Sequence, residues 1–245
     1  MILKFIQRLL LAAACLMASG HGGANAAPYI TAAIHWPNGK AQFFLNDGNY
    51  LRFDIPSNRV DAGYPKPIND NTWPGMGRYA RQISAAFNGP GGKAFFFLSS
   101  GHYLRYDIAA DRVDPGYPKL VDDNSWPGLE RYRTTLFGAL NWKGNRVQLF
   151  LSDGSYLRYD LTQNRVEEGY PKPINNQTWP GLQPYAAHLA GMVNWDNNKA
   201  YIFLDDNRYL RYDIGADRVD DGYPKAVNDA NWPGMGNSFG RRAMP

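Results

Sequence analysis

Cysteine is almost missing from this chain of 245 residues: the only one is Cys15, near the amino terminus. Beyond it no thiol is available, which excludes a disulfide framework and a cysteine nucleophile. A secreted domain of this length can do without disulfides, because it can bury a large core. Long apolar runs are missing too. The longest, Leu9 to Met17, is far short of the ~20 residues that a membrane-crossing helix needs, so no transmembrane segment is expected. Charge of one sign is not in excess either, with 26 Lys and Arg against 22 Asp and Glu. Neither nucleic acid nor an anionic membrane is implied as a partner by that balance. Enzyme signatures are absent as well. There is no HExxH, no G-x-S-x-G and no glycine-rich phosphate loop, so a non-catalytic protein is expected.

The first residues follow the order of a secretory signal. Lys4 and Arg8 precede the apolar run, and the small-residue stretch Ala24-Asn25-Ala26 closes it. Residues 1–26 therefore read as a signal peptide cut after Ala26, giving a secreted protein, extracellular or periplasmic. A lipoprotein signal built on Cys15 fits less well, because Ala12 stands where such signals favour Leu. Removing the leader takes two cations and no acid, leaving 24 basic and 22 acidic side chains.

What the chain does have is repetition. Tyr50-Leu51-Arg52-Phe53-Asp54 returns at Tyr103 to Asp107, Tyr156 to Asp160 and Tyr209 to Asp213, each copy 53 residues after the last. A strict period of that length marks an array of one supersecondary unit. The units run over about 30–82, 83–135, 136–188 and 189–241, with no spacer between them.

Each unit opens on a small apolar segment such as Ile30-Thr31-Ala32-Ala33-Ile34. Three of the four copies then reach a Trp (Trp36, Trp142, Trp195), where the second has Gly89. A turn rich in Asn, Gly and Pro leads into an aromatic run, Ala41-Gln42-Phe43-Phe44-Leu45 in the first unit. Such a run suits a strand covered on both faces. In the third segment alternation puts Tyr50, Arg52 and Asp54 on one face and Leu51 and Phe53 on the other. A weaker fourth segment, Asn58 to Lys66, contains a proline and so reads as an edge strand. Trp73-Pro74-Gly75, copied at Trp126, Trp179 and Trp232, closes the unit as a turn or corner. Units one and three read Asn-Arg-Val where units two and four read Asp-Arg-Val, so a twofold pattern lies over the fourfold one.

About four short antiparallel strands per unit, apolar on both faces, cannot stand alone and must stack on neighbours. Stacked radially, four such sheets make a propeller. The expected fold is all-β: one four-bladed β-propeller over residues 27–245, with Ala32-Ala33 and its copies on the innermost strands.

The Ala-Ala inner strand, the Phe-Phe strand, the Tyr-x-Arg-aromatic-Asp strand and the Gly-Tyr-Pro-Lys-x-Ile stretch followed by Trp together resemble the hemopexin-like repeat. As a lone, disulfide-free set of four units, the chain is most similar to the plant seed albumins of that family and to stand-alone bacterial relatives. The resemblance implies an axial channel in which backbone carbonyls hold calcium, with sodium or chloride. The matching positions here are Thr31, Ser84, Phe137 and Ala190, with Ala33, Ala86, Ala139 and Met192 two residues on. Two departures stand out. The usual Asp or Asn before the Ala pair is lacking, and Met192 takes the place of an Ala. Backbone ligands do not require those side chains, since hard cations take carbonyl oxygen. Animal members also lock the first blade to the last with a disulfide, which this chain cannot form.

The resemblance further implies heme or a polyamine as ligands. Heme clamped between histidines is not expected, because His35, His102 and His188 occupy unrelated repeat positions. The repeated Arg52 and Asp54 read as a structural ion pair across strands or blades, and the repeated Trp73 as a core residue. The leading reading is a secreted, non-catalytic binding module for a small ligand or ion on the axis, or for a protein surface. The alternatives are a multivalent lectin or host-directed toxin with hairpin-tip sites at Asp47, Asp153 and Asp206, and a glycosidase-like enzyme. The last would require two close carboxylates that break the fourfold pattern. Expression with the full leader in a secreting host should release a protein that begins at Ala27, read by mass spectrometry of the amino-terminal peptide. An intact Met1 terminus in the secreted product would refute the cleavage site.

Overall fold

The computed structural model describes residues 27–236 and 238–239; the leader and the end of the fourth unit lie outside the described residues. Each unit forms one antiparallel sheet. In the first unit the inner strand is Ile30–Trp36, the second Lys40–Leu45 and the third Asn49–Asp54. The second and third strands pair with Gln42 opposite Arg52 and Phe43 opposite Leu51. The hairpin turn between them is made by Gly48 at φ +87°, a left-handed conformation that glycine adopts freely.

The expected single fourth strand is split. Two short pieces, Arg59–Val60 and Lys66–Pro67, pair with opposite ends of the third strand. Gly63, at φ +80°, turns the chain out of the sheet between them. Proline has no N–H to give a ladder, which suits the outermost position. The other three units repeat this plan, so the four blades are four five-stranded sheets. Among the described residues no helix is long and apolar enough to cross a membrane.

Apolar residues on both sides of the second strand explain the stacking. Phe43 packs into the cleft between the fourth and first blades, and Phe44 into the cleft between the first and second. Neither ring has any solvent contact. The core is thus four inter-blade layers, with the four inner strands meeting at the axis.

A tryptophan wedge organises each layer. Trp73 lies 5.0 Å from Phe44 of its own blade and 5.2 Å from Tyr106 of the next, ring centre to ring centre. At ~25 cal/mol per Å² over roughly 200 Å² of indole, one wedge contributes about 5 kcal/mol before entropy is charged. The following residue clips the neighbour: Pro74 O accepts from Val113 N at 3.0 Å, on the outer edge of the next blade. The third position must be Gly, because Gly75 sits at φ +88° and a Cβ there would lie 2.7 Å from Val113 Cβ.

The same three contacts close the ring without cysteine. Trp232 packs 5.2 Å from Phe53 and 5.7 Å from Phe43 of the first blade. Pro233 O accepts from Val60 N at 2.9 Å, and Phe239 is buried in the same layer. Trp232→Ala should therefore lower the unfolding free energy by about 3–5 kcal/mol, as Trp126→Ala should at an ordinary cleft. Urea midpoints of the two variants check this. A loss below ~1 kcal/mol at either site would show that the indole is no wedge.

Candidate functional site

The axis is the one place where all four repeats converge. The inner strands Ile30–Trp36, Ile83–Gly89, Leu136–Trp142 and Leu189–Trp195 surround it, and Cα atoms of opposite strands come within 8 Å. The small residues at Ala33, Ala86 and Ala139 are buried there and permit that approach.

Every inner strand carries a register shift near its start. The shift lies between Ile30 and Ala32, between Ile83 and Ala85, and between Leu136 and Gly138. The residues left out of the ladder are Thr31, Ser84 and Phe137, three of the four positions implied for the channel. A bulged residue leaves the ladder, and its carbonyl is released from sheet pairing. The hydroxyls of Thr31 and Ser84 turn back to their own blades, donating to Phe44 O at 3.3 Å and Phe97 O at 3.2 Å. In the fourth blade the irregularity is longer, from Leu189 to Met192, and takes in both Ala190 and Gly191. Gly191 is needed there, since a Cβ would meet Ile30 Cγ2 at 2.4 Å. Met192 is buried, with its thioether over Gly138. Among the described residues no three His, Cys, Asp or Glu side chains cluster around a possible metal position. A hard cation here would draw on carbonyl oxygen, and the bulges fit that requirement.

At the other end of the inner strands a ring of amides joins the blades. Asn88 Nδ2 donates to His35 O at 2.7 Å, Asn141 Nδ2 to Asn88 O at 2.8 Å, and Asn194 Nδ2 to Asn141 O at 2.9 Å. The fourth member is His35, whose Nε2 lies 3.5 Å from an Asp196 carboxylate oxygen. His102 contacts Ser100 in its own turn, and His188 Nδ1 lies 3.1 Å from Asp205.

The loudest repeated motif is structural, with partners other than those expected. Arg52 does not pair with Asp54. Its Nε donates to Asp61 at 2.5 Å, while Lys40 bridges Asp54 and Asp61. The network returns as Lys93 with Asp107 and Asp114, and as Lys199 with Asp213 and Asp220; Arg146 and Glu167 replace its Lys and outer Asp in the third blade. The guanidinium of Arg52 and the ammonium of Lys66 both lie over the Tyr64 ring, at 5.0 and 4.9 Å. The roles of Lys40 and Asp61 were readable in principle, since a cation and a carboxylate recur at those positions in every unit. The hairpin-tip carboxylates are engaged in their own turns: Asp47 accepts from Asn49 N, Asp153 from Ser155 N and Asp206 from Arg208 N.

Comparison with known proteins places this geometry. The hemopexin family model matches residues 30–78 and 83–131. Rabbit (Oryctolagus cuniculus) macrophage metalloelastase is 33% identical over 139 residues, covering 56% of this chain and 27% of that protein. Rat (Rattus norvegicus) stromelysin-2 is 30% identical over 98 residues, 40% of this chain and 20% of that one. The chain thus spans about a quarter of the length of these curated relatives. A crystal structure described as a plant lectin with two metal binding sites, from Cicer arietinum, superposes with a TM-score of 0.70 at 25% identity, over 84% of this chain and 96% of that one. A hemopexin-fold protein from cow pea superposes at 0.72 and 20% identity, over 87% and 99%.

The ion network has a pH signature. Hydrogen bonding from Lys40 holds Asp54 down at about 2, from an ordinary 3.8, and Lys199 does the same to Asp213. Burial raises Asp61, but hydrogen bonds from Arg52 and Lys40 outweigh it and leave a net lowering. Carboxylates depressed by folding stabilise the native state above their unfolded value, and that contribution is lost as pH falls through the folded one. The melting temperature should therefore hold above pH 5 and fall steadily between about pH 4 and pH 2. Lys40→Met should lower the melting temperature at neutral pH and shrink the fall below pH 4, because Asp54 then loses the partner that holds it down. A melting temperature flat to pH 2 would contradict the assignment.

Proposed function

This chain is a four-bladed propeller of the hemopexin type, and from that premise we propose that it is a secreted, non-catalytic binding module that holds a small hard cation on its axis. One observation carries the reading: each of the four inner strands breaks its ladder at the same repeat position beside a narrow axis. Carbonyls near Thr31, Ser84, Phe137 and Ala190 would supply the oxygens, with those of Ala33, Ala86, Ala139 and Met192 next along the axis. Calcium suits such a set, because it takes six to eight oxygens in flexible geometry and does not require carboxylates at every vertex. Sodium is the competitor, and an anion such as chloride would need amide donors from the same strands. The Cicer arietinum relative, with its two metal binding sites, supports the cation reading.

An axial ion would tie all four blades together. Its binding energy would add directly to folding stability, because only the folded ring brings the four carbonyl sets together. In this reading the partner of the module as a whole is a protein or glycan surface. The absence of the usual acidic side chains leaves the carbonyl dipoles as the source of the field, which predicts modest affinity.

Calcium at roughly 100-fold above its Kd should stabilise the protein by about 2.7 kcal/mol, seen as a rise in melting temperature that a chelator reverses. Crystals grown with calcium should show anomalous density on the axis. No thermal shift with calcium or sodium, together with an axis free of density, would overturn the reading.

A further inference from the structure

The four inter-blade clefts are not alike. Counting 53 residues at a time, the position of Gln42 is held by Phe95, then Gln148, then Tyr201. Phe95 packs 5.3 Å from Trp126 and Tyr201 packs 5.0 Å from Trp232, so those rings fill the clefts that their blades share with the next. The other two clefts have a glutamine at that position in place of a ring. Gln42 is 5% exposed and Gln148 3%, and the Oε1 of each is buried with no hydrogen-bond partner. A buried amide oxygen without a partner is costly, and native structures leave few of them.

In the cleft between the first and second blades this leaves a cavity of about 180 Å³. That is room for roughly six waters at ~30 Å³ each, the bulk of one sugar ring. Gln42 lines it together with Trp36, Trp73, Asn38, Arg52 and Asp111. The two indoles meet edge to face at 5.4 Å, and Trp73 Nε1 is also buried without a partner. The unpaired indole N–H is common to all four wedges, whereas the unpaired glutamine oxygen is found in two clefts.

A second alternation runs in step with the first. Asp111 stands on the second blade facing this cleft, and Asp217 occupies the same place on the fourth; Asn58 and Asn164 hold that place on the first and third. Tyr106 Oη donates to Asp111 at 2.9 Å and Tyr212 Oη to Asp217 at 2.9 Å, which fixes both carboxylates. The clefts with a buried amide are thus the clefts with a carboxylate. Trp142 and Trp179, 5.2 Å apart, complete the same set beside Gln148.

The lining narrows the class of ligand. A cation would face the Arg52 guanidinium, and an anion would face Asp111. An apolar molecule would leave the Gln42 amide and the Trp73 N–H unpaired. A neutral molecule with many hydroxyls answers each group, because a hydroxyl both donates and accepts. Its hydroxyls can donate to Gln42 Oε1 and Asp111 and accept from Trp73 Nε1, while its C–H face lies against indole. We propose that the cleft between the first and second blades, and its copy between the third and fourth, each bind a neutral sugar ring. Two such sites on one rigid chain would act together on a surface that carries many copies of the sugar.

The repeats themselves supply the test. Gln42→Phe installs the ring that the second blade carries, and Gln148→Tyr the ring that the fourth carries, so both changes fill the clefts with side chains this architecture already accepts. Methyl pyranosides of glucose, galactose, mannose and N-acetylglucosamine would each be titrated by calorimetry into calcium-loaded and calcium-stripped protein. That pairing separates failure at the cleft from failure at the axis. At least one pyranoside should bind saturably in the millimolar range, with half or more of the capacity lost in Gln42→Phe and all of it in the double variant. Melting temperatures should be unchanged or higher. Wild-type crystals soaked in the bound pyranoside should show its ring beside Gln42. Saturable binding of no pyranoside, binding intact in the folded double variant, or water alone in the soaked cleft would overturn the proposal.

Discussion

The indole wedged between two sheets is the contact on which the rest of this molecule depends. A sheet whose second strand reads Ala-Gln-Phe-Phe-Leu has no face suited to water, so neither side can be left bare. The tryptophan at the end of each unit reaches past its own sheet and packs on the next, and the proline and glycine behind it bind that neighbour's edge. Because Trp232 does for the first blade what Trp73 does for the second, the ring closes by repetition of one contact. A cysteine pair at the closure would add a constraint that the packing already imposes.

The ion networks occupy a different level of the hierarchy. Lys40, Asp54, Asp61 and Arg52 lie on the outer part of the blade, half-buried, where they join the third strand to the short pieces beyond it. Two short edge strands of two residues each give little ladder of their own, so side chains finish the work. The tyrosine held between Arg52 and Lys66 covers the same edge. These contacts explain why the most conspicuous motif in the chain is repeated four times: each blade has an outer edge to protect, and the four edges are closely similar.

Specific chemistry lies where the repeats differ. The axis joins three equivalent bulges with one longer irregularity in the fourth blade. The amide ring at the opposite end has a histidine in place of its fourth asparagine. The clefts alternate between a ring and a buried glutamine on the second strand. A uniform array offers a uniform surface, and each departure from uniformity marks a place where packing alone did not choose the residue.

Much of the architecture was legible from the amino acids alone. The 53-residue return of Tyr-Leu-Arg-aromatic-Asp counts the blades, and the two-faced apolar second strand requires that they stack. Ala32-Ala33 and its copies mark the axis, since only small side chains tolerate four strands meeting there. The alternation of Asn-Arg-Val with Asp-Arg-Val already announced a twofold pattern. Sequence spacing could not assign partners. Arg52 stands two residues from Asp54 on one strand face, yet its ion pair is with Asp61, because the chain turns over residues 55–58 and runs the outer edge back beside it, where Asp61 N donates to Arg52 O at 2.9 Å. Nor could spacing reveal that Gln42 has no partner, since an unpaired amide is a property of everything around it. Local period and polarity depend on neighbours along the chain, and so the sequence determined the number of blades, their strands and their order. Which polar groups meet, and which are left facing an open cleft, depends on neighbours across the ring, and only the tertiary structure decided that.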